Sequence, residues 1–448
     1  MNSFLSRVLS RNLIDRMDGH RSRVLAGFDE AFRMDYVSRT DLDRRVAERL
    51  ALLLDHARRT VPFFRDVAGV GDEIHVANAR RVLSQFPVMR RSDIQFRPEQ
   101  FLSSNVSACA DDATGGSTGT PMAFKVDVFT QRAREASLLW ANHLAGCRPG
   151  EKVAMLWGST RDVQNATART RLALRWWIDN MRWYNAFDMG EDRMAEFHHD
   201  LSRFRPHLLV AYAGSVFAFA RFLKEHGIVP VYPSRAIVSS AEVLTPSMRR
   251  LVEEVFGKPA FDRYGNREFG AIAAECGVHR GLHINESDCI VEIDNDNPFK
   301  KEGRILITYL RNYAMPFIRY DTGDVGRFEA TDPCPCGRTT LRIMPVMGRQ
   351  SDTIRTTSGD LIHGEYFTHL LYAAKGVREF QFVQETPFSY LLRLVADRKE
   401  TQSQELRWRE TILDAVGRDS VLRIEYVESI PVLPSGKRKF TVACDEIR

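Results

Sequence analysis

Apolar positions recur at intervals of three and four through the first hundred residues, as in DLDRRVAERLALLLDHARRT, and predict helices there. After the glycine-rich run DATGGSTGTPM (residues 112–122) the helical period returns in FTQRAREASLLWANHLAGC, and the short apolar block KVAMLWG then predicts a strand. The alternation continues: HLLVAYAG as strand, SVFAFARFLKEHG as helix, AIVSSAE as strand, TPSMRRLVEEVFG as helix ended by Gly257, and PAFDRYG as strand. Strands alternating with helices imply an α/β fold with parallel sheets. From about Gly281 the period shortens. LHINES, CIVEIDN, GRILITYL and RFEA predict strands on short loops, and hence an antiparallel or barrel-like subdomain. Beyond Gly348 the order becomes strand, helix, strand, strand, helix, strand, a small α+β unit with GRQSD as a hinge before it. The expected division is a large N-terminal domain over residues 1–347 and a small mobile C-terminal domain over residues 348–448.

Composition changes this picture little. A chain of 448 residues has room for roughly two to four domains. Its 44% hydrophobic and 27% charged content is that of an ordinary globular protein, and the net charge of +5 is mild and interspersed, so nucleic acid is not an expected partner. Only 10 of the 63 basic residues are lysines, so a lysine in a special context stands out. The longest uncharged apolar stretch, LLVAYAGSVFAFA, has 13 residues, short of the roughly 20 that a transmembrane helix needs. The N-terminus has no continuous apolar segment and does not read as a signal peptide. Seven cysteines spread along the chain do not form a disulfide framework, and a cytoplasmic location is expected.

The run DATGGSTGTPM is neither a Walker A loop, since no GK[ST] follows its glycines, nor the dinucleotide GxGxxG. Gly115, Gly116 and Gly119 permit a backbone that turns N–H groups inward, and Thr114, Ser117, Thr118 and Thr120 add hydroxyls, so the loop can wrap a polyphosphate. Pro121 and the strand-like MAFKV that follows argue against a linker. A second constellation is independent of it. ECGVHRGLH supplies Cys276, His279 and His283, and CPCG supplies Cys334 and Cys336 in a tight turn. Three thiolates and one imidazole fit a closed, structural tetrahedral Zn²⁺ site, with His283 favoured over His279 as the fourth ligand. Trp157, Tyr212, Ala213, Gly214 and Ser215 fall at the ends of expected strands, where ligands enter open α/β sheets, and suit an aryl or other flat apolar group.

Four further stretches occur in order: SSAE (Ser239–Glu242), DRYGNREFG (Asp262–Gly270), YDTGD (Tyr320–Asp324) and GRQSDTI (Gly348–Ile354), followed near the C-terminus by VLPSGKRKF (Val432–Phe440). Together with TGGSTGTPM, this series resembles the adenylate-forming superfamily of acyl-CoA ligases. Within it, RTVPFF, FPVMRRSDI, FDRYGNREFG and GDLIHGEYF resemble the phenylacetate–CoA ligase branch and its CapK-like relatives. The resemblance implies an AMP-forming ligase with a multi-subdomain N-terminal domain and a rotating C-terminal domain. Such an enzyme joins a carboxylic acid to the α-phosphate of ATP, releases pyrophosphate and passes the acyl group to an acceptor, here coenzyme A. It implies that residues 114–120 hold the departing phosphates and that Tyr264 stacks on adenine. Ser240, Ala241 and Glu242 would line that pocket, with Asp262 and Gly265 in the same motif as Tyr264. Glu268 would bind Mg²⁺, Asp324 the ribose hydroxyls with help from Arg349, and Lys437 would be the catalytic lysine of the first half-reaction.

Two alternatives stand beside this reading. One keeps the adenylation and changes the acceptor to an amine or a carrier-protein thiol. The other is a non-enzymatic zinc-stabilised binding protein. The lysine loop reads Pro431-Val432-Leu433 where Pro-Arg-Thr is usual, and Gly116 replaces a common Ser, but neither departure removes a charge that the chemistry requires. A homodimer is compatible with either.

Overall fold

The computed structural model describes residues 19–65, 73–105, 109–114, 122–157, 179–186, 189–295, 301–329, 333–346, 353–357, 361–363, 367, 370, 371, 374, 376–430 and 440–443. Two long helices open it, α1 (His20–Met34) and α2 (Arg39–Thr60). Ser38 caps α2 by accepting from the Asp41 N–H, and the buried stripe Leu42, Val46, Leu50, Leu53, Leu54, Ala57 follows the helical period. A hairpin follows, β1 (Cys109–Ala113) and β2 (Ala123–Asp127), and then α3 (Val128–Leu144), whose first turn is capped by Asp127 through the Thr130 N–H.

The next stretch builds the central sheet: β3 (Val153–Trp157), β4 (Met181–Asn185), α4 (Glu191–Phe204), β5 (Leu208–Tyr212), α5 (Ala213–Glu225), β6 (Ala236–Ser240), α6 (Pro246–Phe256), β7 (Ala260–Asn266), β8 (Gly270–Glu275) and β9 (Leu282–Ile284). α6 shows how local sequence sets the boundaries. Thr245 caps it, Pro246 occupies its first turn, and Gly257 ends it at φ 60°. After β10 (Cys289–Asp294), β11 (Gly303–Tyr309) and β12 (Tyr320–Gly326), the short β13 (Arg342–Ile343) returns to the central sheet. The strand order there is β13-β9-β8-β7-β6-β5-β3-β4, with β7, β6, β5, β3 and β4 mutually parallel and β8, β9 and β13 added antiparallel.

Alternation along the parallel strands gives the sheet two buried faces. Leu209, Ala211 and Ile237 pack under α5 and α6, while Val210, Ala236, Val238 and Phe261 pack on the other side with Ala145 and Cys147. β10-β11-β12 form a three-stranded antiparallel sheet, which is the β-rich region expected after Gly281. Two strand assignments shift. LHINES contributes β9 to the central sheet rather than to this one, and the strand expected at RFEA lies earlier, at Tyr320–Gly326, with Phe328 forming only an isolated bridge to Ile343.

The C-terminal region contains the hairpin β14 (Thr353–Arg355) and β15 (Leu361–His363), then β16 (Val377–Thr386), β17 (Ser389–Ala396), α7 (Arg398–Val416), β18 (Val421–Tyr426) and β19 (Thr441–Val442). Its four-stranded sheet runs β18-β17-β16-β19 and encloses a core of its own, with Phe382, Tyr390, Leu392, Leu394, Trp408 and Ile412. No helix among the described residues is long and apolar enough to cross a membrane.

Candidate active site

The carboxyl ends of β5, β6 and β7 bring three of the motif segments to one edge. Tyr264 on β7 donates its hydroxyl to Asp324 Oδ2 at 2.8 Å and reaches Thr322 Oγ1 at 3.3 Å, while the Asp324 N–H donates to Thr322 Oγ1 at 3.2 Å. These contacts join DRYG to YDTGD, which lies on β12 of the neighbouring sheet. Gly323 has φ 74°, so the turn between the two acceptors favours glycine. A carboxylate that holds one hydroxyl keeps spare lone pairs for other donors.

Ser240, Ala241 and Glu242 leave β6 at the same end. Ala241 has φ 68°, a left-handed conformation that costs a non-glycine residue about 1–2 kcal/mol. Strain of this kind clusters at functional sites. The Glu242 carboxylate accepts from the Gly214 N–H at 2.8 Å, in the first turn of α5, where the helix dipole favours a negative charge. Glu242 thereby ties SSAE to Ala213, Gly214 and Ser215, and Ser215 Oγ in turn lies 3.5 Å from the Ala186 carbonyl.

The loop expected to hold phosphates is described only at its base. Thr114 is buried; its N–H donates to the Met122 carbonyl at 2.9 Å, and its hydroxyl receives the Met122 N–H at 3.0 Å and an Arg91 guanidinium N–H at 2.9 Å. The two ends of the loop are thus held together. Gly115, Gly116, Ser117, Thr118, Gly119 and Thr120 lie outside the described residues, as do Arg349 and Lys437. The chain on either side of Lys437 is anchored: Ile430 is buried, and the Phe440 carbonyl accepts from the Phe382 N–H at 2.7 Å.

Glu268, which is 6% exposed, stands in the turn between β7 and β8. That turn is closed by the Phe269 N–H on Asn266 Oδ1 at 2.9 Å. A Cβ on Gly265 would come within 2.3 Å of the Gly270 carbonyl oxygen, so the close approach of the two strands requires glycine there. Arg267, beside Glu268, donates to Asp112 Oδ1 at 2.9 Å, and Arg134 holds the other oxygen at 2.9 Å. This bridge links the Glu268 turn to the strand that leads into the glycine-rich loop. Sequence reasoning did not single out Asp112, Arg134 or Arg267, because the link depends on the pairing of Asp112 with Arg267, 155 residues further along. Asp262 is 8% exposed, and its backbone N–H donates to Glu275 at 2.8 Å.

On the sheet face opposite Tyr264, strand register aligns four side chains. Tyr212 pairs with Ser240, Ser240 pairs with Arg263, and the Trp157 ring packs on Tyr212 with centroids 4.3 Å apart. Arg263 belongs to DRYGNREFG, yet nothing in its neighbours marks it; only the folded sheet brings it beside the aromatic pair.

The cysteine and histidine residues converge at the antiparallel end of the same sheet. Cys276 follows β8, His283 lies in β9, and Cys334 and Cys336 precede β13. Their ligand atoms all lie within 4.8 Å of one another, with Cys276 Sγ 3.8 Å from Cys334 Sγ and Cys336 Sγ 3.4 Å from His283 Nε2. A zinc tetrahedron with bonds of about 2.0–2.3 Å has edges of about 3.5–3.8 Å, so this donor set fits the ion. His283 is fully buried, and its Nδ1 lies 2.9 Å from Thr340 Oγ1, which leaves Nε2 for a metal. His279 is engaged elsewhere, with Nδ1 3.2 Å from Glu275 Oε2. Gly337, at φ 82°, donates to the Cys334 carbonyl at 2.9 Å and closes the C-x-C turn. The cluster sits in a core formed with Phe28 and Ala31 of α1 and Trp140 and Ala141 of α3.

The fold resembles that of adenylate-forming ligases of known structure. The branch is narrower. Residues 354–443 match the family described as the CapK C-terminal domain. The chain is 24% identical over 381 residues to protein CapK of Staphylococcus aureus, covering 83% of this chain and 82% of CapK. It is 32% identical over 160 residues to a phenylacetate-coenzyme A ligase of Thermus thermophilus, 34% of this chain and 36% of that one. Among solved structures it resembles a 2-hydroxyisobutyryl-CoA ligase in the postadenylation state in complex with R3-HIB-AMP, at a TM-score of 0.69 and 17% identity, covering 93% of this chain and 92% of that one. Its relatives are those of the phenylacetate–CoA ligase and CapK branch.

Proposed function

We propose that the protein activates a carboxylic acid with ATP, forms an acyl-adenylate with release of pyrophosphate, and transfers the acyl group to coenzyme A. The observation that carries this reading is the hydrogen-bonded meeting of Tyr264, Thr322 and Asp324 at the carboxyl edge of the sheet, with the Glu268 turn tied through Arg267 and Asp112 to the base of the glycine-rich loop. Three separate motifs meet there, and each offers what one part of a nucleotide needs.

In this reading Tyr264 offers its ring to adenine while its hydroxyl stays on Asp324, and the Asp324 carboxylate accepts the ribose hydroxyls, with Arg349 assisting it. Ala241, held in a left-handed turn, presents backbone rather than a bulky side chain to the base, with Ser240 and Glu242 as its supports. Residues 114–120 cradle the β- and γ-phosphates with backbone N–H groups and hydroxyls. Mg²⁺ bound at Glu268 would neutralise phosphate charge, and a buried carboxylate is a suitable hard donor for it. Lys437 stabilises the negative charge that gathers as carboxylate and α-phosphate approach. It withdraws with the domain of residues 348–448 when that domain rotates against residues 1–347 for transfer. Trp157 and Tyr212 flank an aryl or other largely apolar body. Zn²⁺ held by Cys276, His283, Cys334 and Cys336 is structural, since four protein ligands leave no open position.

The test is pyrophosphate release with ATP and Mg²⁺ over a panel of carboxylic acids, followed by thiol consumption with coenzyme A. Release that depends on one group of acids, with coenzyme A consumed in equal amount, is expected. Release without thiol consumption would move the acceptor to an amine or a carrier protein. ATP binding with no release for any acid would overturn the proposal.

A further inference from the structure

Arg263 is 5% exposed, yet among the described residues its guanidinium has no carboxylate partner. Its Nε donates to Ser240 Oγ at 3.2 Å, and the Ser240 hydroxyl donates back to the Arg263 carbonyl at 3.1 Å. The guanidinium lies over the Trp157 ring, 5.9 Å from its centroid. The negative charge that acts on it, Asp262, does so through space without a hydrogen bond, and burial pulls the group down to about 10. Both Nη atoms are left without a protein acceptor among the described residues. A buried cation in this state is costly, because desolvation is not offset by a partner. Ser240 and Trp157 fix the plane of the guanidinium while leaving its terminal fork open, and a fork of that kind matches a carboxylate with two parallel N–H···O bonds.

Strand geometry says which end of a substrate would meet it. Successive side chains on β7 point to opposite faces, and Tyr264, the next residue, turns to Asp324 and Thr322. Tyr264 and Asp324 therefore stand on one face, and Arg263 stands on the other with Trp157, Tyr212 and Ser240. A group bound at Arg263 is separate from the carboxylate that meets the α-phosphate.

We propose that Arg263 receives a second carboxylate of the acyl substrate, so that the acid activated is a dicarboxylate whose flat apolar body lies against Trp157 and Tyr212. This inference rests on the ligase reading above and names its substrate class. A single guanidinium with no second cation in the row suits a carboxylate better than a phosphate.

The experiment compares benzoate with terephthalate and isophthalate in pyrophosphate release, for the wild type, Arg263→Met and Arg263→Lys. Melting is measured in parallel with each acid alone. Wild type is expected to favour at least one dicarboxylate by roughly 100-fold or more in kcat/KM, as sites built to bind a polar group do. Arg263→Met should reverse that preference, and Arg263→Lys should recover part of it, since an ammonium is a point charge without the fork. The favoured dicarboxylate alone should raise the Tm of the wild type and leave that of Arg263→Met unmoved. Without ligand, Arg263→Met should melt at or above the wild type, because an unpaired buried charge has been removed. Equal use of both acids by wild type and Arg263→Met overturns the inference while adenylation stands. A Tm shift that depends on Arg263 with no release from any acid upholds the inference and overturns the adenylation. A large loss of Tm in Arg263→Met, or no dicarboxylate effect in either measurement, shows Arg263 to be a packing residue and overturns the inference.

Discussion

The edge around Tyr264 and the cluster around Cys276 are built on the same sheet and solve opposite problems. At the edge, polar groups are fixed and left with spare capacity: Asp324 holds one tyrosine hydroxyl, and Thr114 is buried at the base of a loop. In the cluster, three thiols and an imidazole converge on one another, with Cys276 and His283 almost fully buried. The first arrangement is stable because each group already has a partner and can accept another. The second crowds polarisable donors around a point that suits a cation, and burial with the neighbouring thiols pushes Cys276 up to about 12. Spare capacity is a mark of turnover, and closure is a mark of structure. The pair predicts that substitutions at the edge change rates more than melting, and that substitutions in the cluster do the reverse.

The largest expected effect is at Lys437. Replacing it with Ala should lower pyrophosphate release by roughly 10²–10³-fold, the usual loss when a group aimed at developing charge is removed. Melting should change far less than the rate. Undiminished release in the variant would assign the charge stabilisation to another residue. Next is Cys334→Ser, which should abolish stoichiometric zinc by elemental analysis. If free zinc stands ~1,000-fold above its dissociation constant, losing it removes about 4 kcal/mol of stability. Wild type and variant with equal zinc content and equal Tm would refute the closed site.

How far the sequence carried these conclusions depends on range. The periods of α2, α5 and α6 and the caps Thr245 and Gly257 are local, and the elements fell where they predict. YDTGD carries no expected strand, and one is expected at RFEA instead, because Asp321, Gly323 and Asp324 have poor strand propensity; pairing with β11, irregular between Arg304 and Leu306, overrides it. LHINES was seen as a strand, but a three-residue segment says nothing of which sheet receives it. The C-x-C turn was legible because its geometry is set by adjacent residues. Arg263 was not, since a missing partner is a property of the folded surroundings.

A smaller effect separates the two uses of Tyr264. Tyr264→Phe keeps the ring and removes the hydroxyl that donates to Asp324 at 2.8 Å. A hydrogen bond to a charged group contributes about 1.5–3 kcal/mol, so the KM for ATP should rise by roughly ten-fold or more, while the KM for the acid moves little. A change confined to the acid would shift Tyr264 from the nucleotide to the acyl pocket.

The smallest effect tests closure at its outer layer. Thr340 lies 2.9 Å from His283 Nδ1. Its hydroxyl fixes the tautomer that presents Nε2, and Nε2 is the atom 3.4 Å from Cys336 Sγ. Thr340→Val preserves volume and removes that support. Partners of this kind typically change metal affinity by about 10–100-fold. Competition with a chromophoric chelator should show a loss in this range, and melting in excess zinc should fall only slightly. The buried Nδ1 would then lack its partner, so some loss of stability remains even when the metal is saturating. An unchanged affinity would mean that His283 packs beside the thiols without serving as the fourth ligand. The cluster would then keep an open position, and the contrast with the edge would lose its basis.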